Sequence, residues 1–187
     1  MDTKFIIYWD LVIYFFNIVI ANFRGKERID NKQKWILQVA MPIIALGVLV
    51  LGVMFLLVTG IYNPNTVESF WTEETINLIF VNLDFAVSIV KAVVIENVIF
   101  FFLFYILFDL LFKRTDKVDF RKIVFSSSIF SLIHLTNFNP MIEAIPLLVL
   151  FIPISLVIGY MTERFGFMSG LFQQFLYNFI IISTALV

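Results

Sequence analysis

The 187-residue sequence contains no cysteine, one histidine, five prolines and seven glycines. The absence of cysteine excludes a disulfide scaffold and a thiolate metal site, and the few prolines and glycines exclude a collagen-like repeat or a Pro/Gly-rich disordered chain. Charged residues make up only 14% of the chain, against roughly a quarter in soluble domains. The sequence has instead 61% hydrophobic residues and 24 phenylalanines. This composition predicts an all-α, polytopic helical membrane protein.

The hydrophobic residues form runs of the length that membrane spans require, about 20 residues for a hydrocarbon core of about 30 Å. We predict about six transmembrane helices in one bundle, so that residues 1–187 form a single integral membrane domain. The third run exceeds one span and is too short for two, which leaves open whether residues 76–112 form one long helix or two. We interpret it as an interfacial or tilted segment to about Lys91, followed by a span. The six runs are residues 5–23, 35–62, 76–112, 123–138, 144–161 and 166–187.

Basic residues are concentrated on one side of the predicted spans. Eleven of the thirteen Lys and Arg residues fall in the predicted loops 24–34 and 113–122 and at Arg164, whereas the loops 63–75 and 139–143 carry glutamates and no basic residue. Cytoplasmic loops keep an excess of Lys and Arg. The sequence therefore predicts a multi-pass protein of the cell membrane, here a bacterial cytoplasmic membrane, with both termini outside.

Four polar side chains lie deep inside the predicted spans. At a rise of about 1.5 Å per residue, Glu96, His134 and Asn178 lie roughly 25, 18 and 20 Å from the cytoplasmic ends of their helices. Gln174 lies one turn before Asn178 on the same helix face. Polar and ionisable groups at membrane depth face a bundle interior or a cavity, and they mark a candidate functional site. The alternative is a hydrogen-bond network that only holds the helices together.

Two other carboxyl groups, those of Asp10 and Asp109, lie near the ends of predicted spans. From there a side chain can reach the membrane interface, so we expect neither to belong to the site. Lys122 falls at the end of a predicted cytoplasmic loop, and we count it among the orienting basic residues.

Three short motifs in residues 96–178 have a family counterpart. The second reads Phe130-Ser-Leu-Ile-His134, and the third reads Gln174-Phe-Leu-Tyr-Asn178. The first begins at Glu96 and reads Glu-Asn-Val-Ile-Phe-Phe. In their order and spacing these segments resemble the CPBP family, the CAAX-protease and bacteriocin-processing membrane proteins also called Abi. That family has E-E-x-x-F-R-G, F-x-x-x-H and H-x-x-x-N at the corresponding places.

The resemblance implies an intramembrane endopeptidase that activates water. It assigns Glu96 as general base, His134 as the partner that holds and deprotonates water, and Asn178 as an oxyanion donor. Gln174 replaces the family's second His, and its amide can donate a hydrogen bond to an oxyanion but cannot shuttle a proton. The first motif also departs from the family, because Asn97 replaces the second Glu and Phe101 replaces the Arg.

No metal and no other cofactor is expected at this site. Catalytic zinc generally takes three protein ligands from His, Glu, Asp or Cys. The chain has one His and no Cys, and the amides of Gln174 and Asn178 are poor replacements for an imidazole or a thiolate. We therefore predict no metal, although the family is sometimes described as metalloproteases.

Three functions remain open from the sequence. Three departures at five charged or catalytic motif positions favour a non-catalytic binding or regulatory protein, or a bacteriocin-immunity protein. The alternative is an active or weakened, metal-independent intramembrane endopeptidase that uses Glu96 and His134. A transport subunit is the third, and it would need other subunits because the chain has no Gly-rich phosphate loop. The expected partners are membrane lipid and a membrane protein or peptide, and nucleic acid is not among them.

Overall fold

The computed structural model is an all-α protein. It describes residues 3–26, 31–63, 65–66, 68–69, 72–112, 115 and 117–185. The α-helices are α1 Thr3–Arg24, α2 Asn31–Val58, α3 Glu73–Val81, α4 Leu83–Glu96, α5 Phe104–Leu111, α6 Phe120–His134, α7 Leu148–Phe165 and α8 Phe167–Ala185. A π-helical segment, Asn97–Leu103, joins α4 to α5, and 3₁₀ segments Leu135–Asn137 and Met141–Leu147 lie between α6 and α7.

Polar groups are buried and large apolar side chains are exposed. Fully buried polar side chains include Asn97, Lys122, Ser127 and Gln173. By contrast, apolar side chains on the outer face of α2 are exposed, and that of Leu51 is 73% exposed. Soluble proteins rarely expose contiguous apolar surface on this scale. In a bilayer the same arrangement is favourable, since lipid covers apolar faces and polar groups must find partners inside the protein.

Within the residues that the structure describes, three helices are long and apolar enough to cross a membrane: Gln33–Val58, Leu83–Leu111 and Met141–Phe165. The predicted all-α fold is confirmed, and the count of six spans stays a prediction. The last of the three begins seven residues before α7, because the 3₁₀ segment Met141–Leu147 leads directly into it. The sequence had predicted a loop over 139–143.

The long apolar run over 76–112 contains two helices. They are separated at Asn82, whose extended backbone ends α3 and whose side-chain oxygen accepts a 3.1 Å hydrogen bond from the Phe85 amide at the start of α4. Asn is among the preferred N-caps because its short side chain satisfies an otherwise unpaired backbone N–H. The sequence predicts a change from an interfacial or tilted segment to a span near Lys91. This position is wrong, because Leu83–Leu111 is one continuous helical unit and the break lies before it, at Asn82.

Helix α7 lies between α6, α8 and α2. Small and hydroxyl-bearing residues bring α6 close to it: Ser127 donates 2.8 Å to the Ser155 carbonyl, Ser155 donates 3.1 Å to the Ser127 carbonyl, and the Ser131 and Ser155 hydroxyls lie 2.7 Å apart. A side chain at Gly159 would meet Ser127 Oγ at 2.9 Å. Small residues of this kind permit close helix packing in membranes.

A sharp turn at Gly166 joins α7 to α8. Its φ of +92° lies in the region that glycine adopts without a Cβ clash. The turn also contacts the end of α1, where the Lys26 amide donates to the Glu163 and Arg164 carbonyls at 3.2 and 3.0 Å. A Cβ at Gly166 would overlap the Phe23 carbonyl. The cytoplasm-facing ends predicted for these helices thus meet backbone to backbone.

Two residue pairs form a small antiparallel ladder. Strand β1, Glu68–Ser69, pairs with β2, Phe138–Asn139, so that Glu68 lies opposite Asn139 and Ser69 opposite Phe138. The ladder ties the segment between α2 and α3 to the chain that follows α6. That chain begins directly after His134.

Candidate functional site

His134 is held at the C-terminal end of α6 by the residue one turn before it. The Nδ1 atom lies 2.9 Å from the Phe130 carbonyl oxygen, and the two rings are 4.2 Å apart. Phe130 is buried and packs against Phe101, with ring centroids 5.1 Å apart. With Nδ1–H donating to the carbonyl, the lone pair of Nε2 points away from α6. The F-x-x-x-H spacing therefore orients the imidazole.

Glu96 is the last residue of α4 and lies directly before the π-helical segment Asn97–Leu103. Its Oε2 lies 3.9 Å from Nε2 of His134. Such π-helical turns are rare and occur frequently at functional sites. The two side chains are 35% and 24% exposed, respectively, so the pair lies where the buried polar interior meets the surface.

Gln174 of α8 joins the cluster from the opposite side. Its Nε2 donates a 2.7 Å hydrogen bond to Glu96 Oε2, and its Oε1 accepts from the amide of Asn97. Asn97 also donates to the Val93 carbonyl at 3.1 Å. Both amide side chains are buried. The hydrogen bonds run in one direction, from Asn97 through Gln174 to the carboxylate of Glu96.

Asn178 lies one turn after Gln174 on α8 and is half-buried. Within the part of the chain that the structure describes, the hydrogen bonds of the cluster do not include it. Its neighbour Tyr177 is buried, and its hydroxyl has no hydrogen-bond partner among the described residues. The structure thus brings together Glu96, His134 and Gln174 and leaves the fourth predicted residue beside them.

Asn97 belongs to the site although the sequence analysis gives it no role there beyond that of a polar residue at membrane depth that departs from the family motif. It is fully buried and its amide bonds Gln174. A sequence signal exists, because Asn97 is an amide at mid-membrane depth next to Glu96, and a buried amide needs partners. The residues at positions 97 and 174 form a matched pair of amides.

The arrangement places one carboxylate and one imidazole close enough to share a water molecule. A separation of 3.9 Å between Glu96 and His134 is too long for a direct hydrogen bond and leaves room for a water that contacts both groups. Among the described residues no three His, Cys, Asp or Glu side chains lie close enough to hold a metal ion. Within the described part of the chain, the contacts that join Glu96, Asn97, His134 and Gln174 involve no lysine or arginine.

A second buried polar cluster lies at the opposite ends of the helices. The ammonium group of Lys122 on α6 lies 3.0 Å from Asp109 Oδ1 and 2.7 Å from Glu163 Oε2, and Asn22 donates 2.9 Å to Asp109 Oδ2. Lys26 forms an ion pair with Glu163. This cluster, Asn22, Lys26, Asp109, Lys122 and Glu163, joins α1, α5, α6 and α7. Two cations and two carboxylates balance its charge.

The expected locations of Asp109 at the membrane interface and of Lys122 in a loop are therefore wrong. Asp109 does not reach the interface and Lys122 does not lie in an exposed loop, because each neutralises the other inside the bundle. A signal was present, since Lys122 lies on the same i, i+4 face of α6 as Ser126, Phe130 and His134. The side chain of Asp10 lies outside the described residues.

Comparisons of the chain with protein-family models, with curated proteins and with solved structures found no match. The resemblance to the CPBP family therefore rests on the three motifs and on the contacts that join them. It stays a prediction.

Proposed function

We propose that the protein is a non-catalytic, CPBP-like membrane protein that binds a membrane protein or peptide partner, in a regulatory or immunity role. The observation that carries this proposal is the hydrogen bond from Gln174 to Glu96 Oε2, the carboxylate oxygen nearest His134. The amide occupies the position at which a family protease has a second imidazole.

The protease mechanism that the resemblance implies needs Glu96 free to take a proton from water and a group that can return this proton to the leaving amine. In this cluster the Gln174 amide occupies Glu96 Oε2, and Asn97 fixes the orientation of that amide. An amide does not exchange its proton in this way.

The proposal includes placement as a six-span protein of the cell membrane with both termini outside. Its support is the distribution of basic residues and the apolar outer faces of the helices. Because the chain has no cysteine, single cysteines can report the side of each loop. We expect a membrane-impermeant maleimide added to intact cells to label Thr72→Cys and not Thr115→Cys; the opposite pattern contradicts the orientation.

A second candidate is a slow intramembrane endopeptidase, which the 3.9 Å separation of Glu96 and His134 favours. In that reaction Glu96 would take the proton of a water held by His134 while the water oxygen attacks the peptide carbonyl, and the proton would pass to the departing amine. Gln174 would turn its amide to the oxyanion. Loss of one such donor typically costs about 10²–10³ in rate, so replacement of an imidazole here does not by itself abolish activity.

The deciding experiment combines a cleavage assay with partner capture. Purified protein in detergent is incubated with a peptide library, and the same protein is used to recover crosslinked partners from its native membrane. We expect no cleavage, with the same partner recovered from the wild type, Glu96→Ala and the surface control Glu143→Ala. Cleavage that is lost in both Glu96→Ala and His134→Ala but kept in Glu143→Ala overturns the binding proposal and supports the protease.

A further inference from the structure

An apolar groove of about 440 Å³ runs along the surface between α5 and α6, away from the candidate functional site. Leu107, Leu111 and Phe125 line it and are exposed. Helix α5 belongs to the membrane-length helix Leu83–Leu111. The groove therefore lies on a surface that faces lipid when the protein is in a membrane.

The groove has an apolar end and a charged end. Phe104 of α5 stacks on Phe125 of α6 at one end, with ring centroids 5.4 Å apart. At the other end the Arg121 guanidinium lies 6.0 Å from the centre of the Phe108 ring, and Phe108 packs on Phe112. From position 104 to 112 the helical rise is about 12 Å. The charged end lies beside the loop between the two helices, where the membrane interface is predicted.

A polar recess adjoins the charged end. It has a volume of about 400 Å³ and is lined by Thr115, Lys117, Val118, Asp119 and Arg121. Arg121 belongs to both concavities. The Arg121 side chain thus lies where the apolar groove meets the recess.

Arg121 is placed to recognise an anion. Its Nε and Nη2 donate to Asp119 at 3.1 and 2.8 Å, which fixes the guanidinium, and its side chain remains 67% exposed. Besides the buried Lys122, the segment 113–122 carries four basic residues in its sequence, against Asp116 and Asp119. Excess positive charge next to a membrane helix attracts anionic lipids, by about 1 kcal/mol for each Lys or Arg near the surface.

We propose that this surface is a binding site for an anionic phospholipid. One acyl chain lies along the groove between α5 and α6, and the phosphate lies in the polar recess against Arg121 and Lys117. The apolar lining and the single charged end of the groove match a lipid, whereas an extended peptide would leave backbone polar groups without partners along the apolar walls. This site is separate from the Glu96 cluster, so it does not depend on the proposed function.

Native mass spectrometry of the full chain in detergent tests the site, with phosphatidylglycerol and phosphatidylcholine of matched chains as probes. We expect one tightly retained phosphatidylglycerol and a preference over phosphatidylcholine that falls roughly fivefold in Arg121→Gln, the factor that corresponds to about 1 kcal/mol per basic residue. The matched control is Arg24→Gln, which removes the same charge from the exposed end of α1. It should leave the preference unchanged.

A substitution in the apolar groove tests the contribution of the acyl chain to binding apart from that of the phosphate. Leu107→Trp places an indole in the apolar channel and should lower retention of both lipids, while circular dichroism verifies the helical fold. Inorganic phosphate at millimolar concentration should not displace the lipid, because it lacks the acyl chain. Equal retention of the two lipids by the wild type, an equal loss in Arg24→Gln, or full retention in Leu107→Trp would each overturn the proposal.

Discussion

The ammonium group of Lys122 lies 3.0 Å from Asp109 Oδ1, and the two side chains are 0% and 3% exposed. Glu163 Oε2 lies 2.7 Å from the same ammonium group. The Lys122 nitrogen also lies 4.7 Å from the centre of the Tyr105 ring, whose hydroxyl donates 3.0 Å to the Gly159 carbonyl. One buried cation thus connects three helices.

Removal of this cation should destabilise the protein strongly. Lys122→Met leaves Asp109 and Glu163 buried with one cation fewer, and loss of one partner of a buried ion pair typically costs about 3–5 kcal/mol. We expect a large decrease in the thermal unfolding midpoint, measured by circular dichroism in detergent.

The control for this variant is Lys117→Met, which removes the same charge from an exposed position. It should unfold within a degree or two of the wild type, since exposed substitutions usually change stability by less than about 0.5 kcal/mol. Similar midpoints for Lys122→Met and Lys117→Met would show that the buried cluster does not hold the helices together.

The amide pair of the candidate functional site should also contribute to stability. Gln174→Leu removes one of the two acceptors of the buried Asn97 amide, whose other acceptor is the Val93 carbonyl, and a buried N–H left without a partner costs about 1–3 kcal/mol. The same change at exposed Gln33 serves as control. A thermal midpoint that falls for Gln174→Leu and not for Gln33→Leu is expected; unchanged stability in both would mean that the chain from Asn97 to Glu96 is not formed.

The sequence predicts a similar depth in the membrane for Glu96, His134 and Gln174. This is possible because the rise per residue of a helix is constant and the ends of the apolar runs mark the ends of the spans. The second cluster could not be predicted in this way. Lys122 and Glu163 are 41 positions apart, and each also fits an exposed position at the end of an apolar run. The helix break at Asn82 is likewise not evident from hydrophobicity, because it depends on one capping side chain within a continuous apolar run. Hydrophobic periodicity locates the helices. Which side chains pair between two helices depends on how each helix is rotated about its axis and on how deep each residue lies.

Asp119 should give the protein a distinct pH dependence. The hydrogen bond from the Arg121 side chain lowers the pKa of Asp119 below its ordinary value. A carboxyl group with a lowered folded-state pKa stabilises the fold above its unfolded pKa of about 3.9, and this stabilisation is lost as the pH falls through the lower value. Asp119→Asn keeps a side chain that can cap α6 but removes the charge.

We therefore expect Asp119→Asn to be less stable than the wild type at neutral pH. The difference should shrink as the pH falls below 4, measured by thermal unfolding in detergent without anionic lipid. Asp84→Asn, at an exposed position on α4, controls for the loss of one negative charge. A difference between Asp119→Asn and the wild type that is constant between pH 7 and pH 3 would show that the carboxylate makes no specific contribution.

Close packing of α7 against α8 requires glycine at position 170. A Cβ there would overlap the Thr162 side chain, whose hydroxyl donates 2.9 Å to the Ile158 carbonyl. Overpacking of a close contact typically costs about 1–3 kcal/mol, so Gly170→Ala should lower the thermal midpoint. Gly47 of α2 is the matched control, because a Cβ there meets nothing within 4 Å. Gly47→Ala should be neutral or slightly stabilising, since alanine is the better helix former. Equal midpoints for the two variants would mean that α7 and α8 lie farther apart than this contact requires.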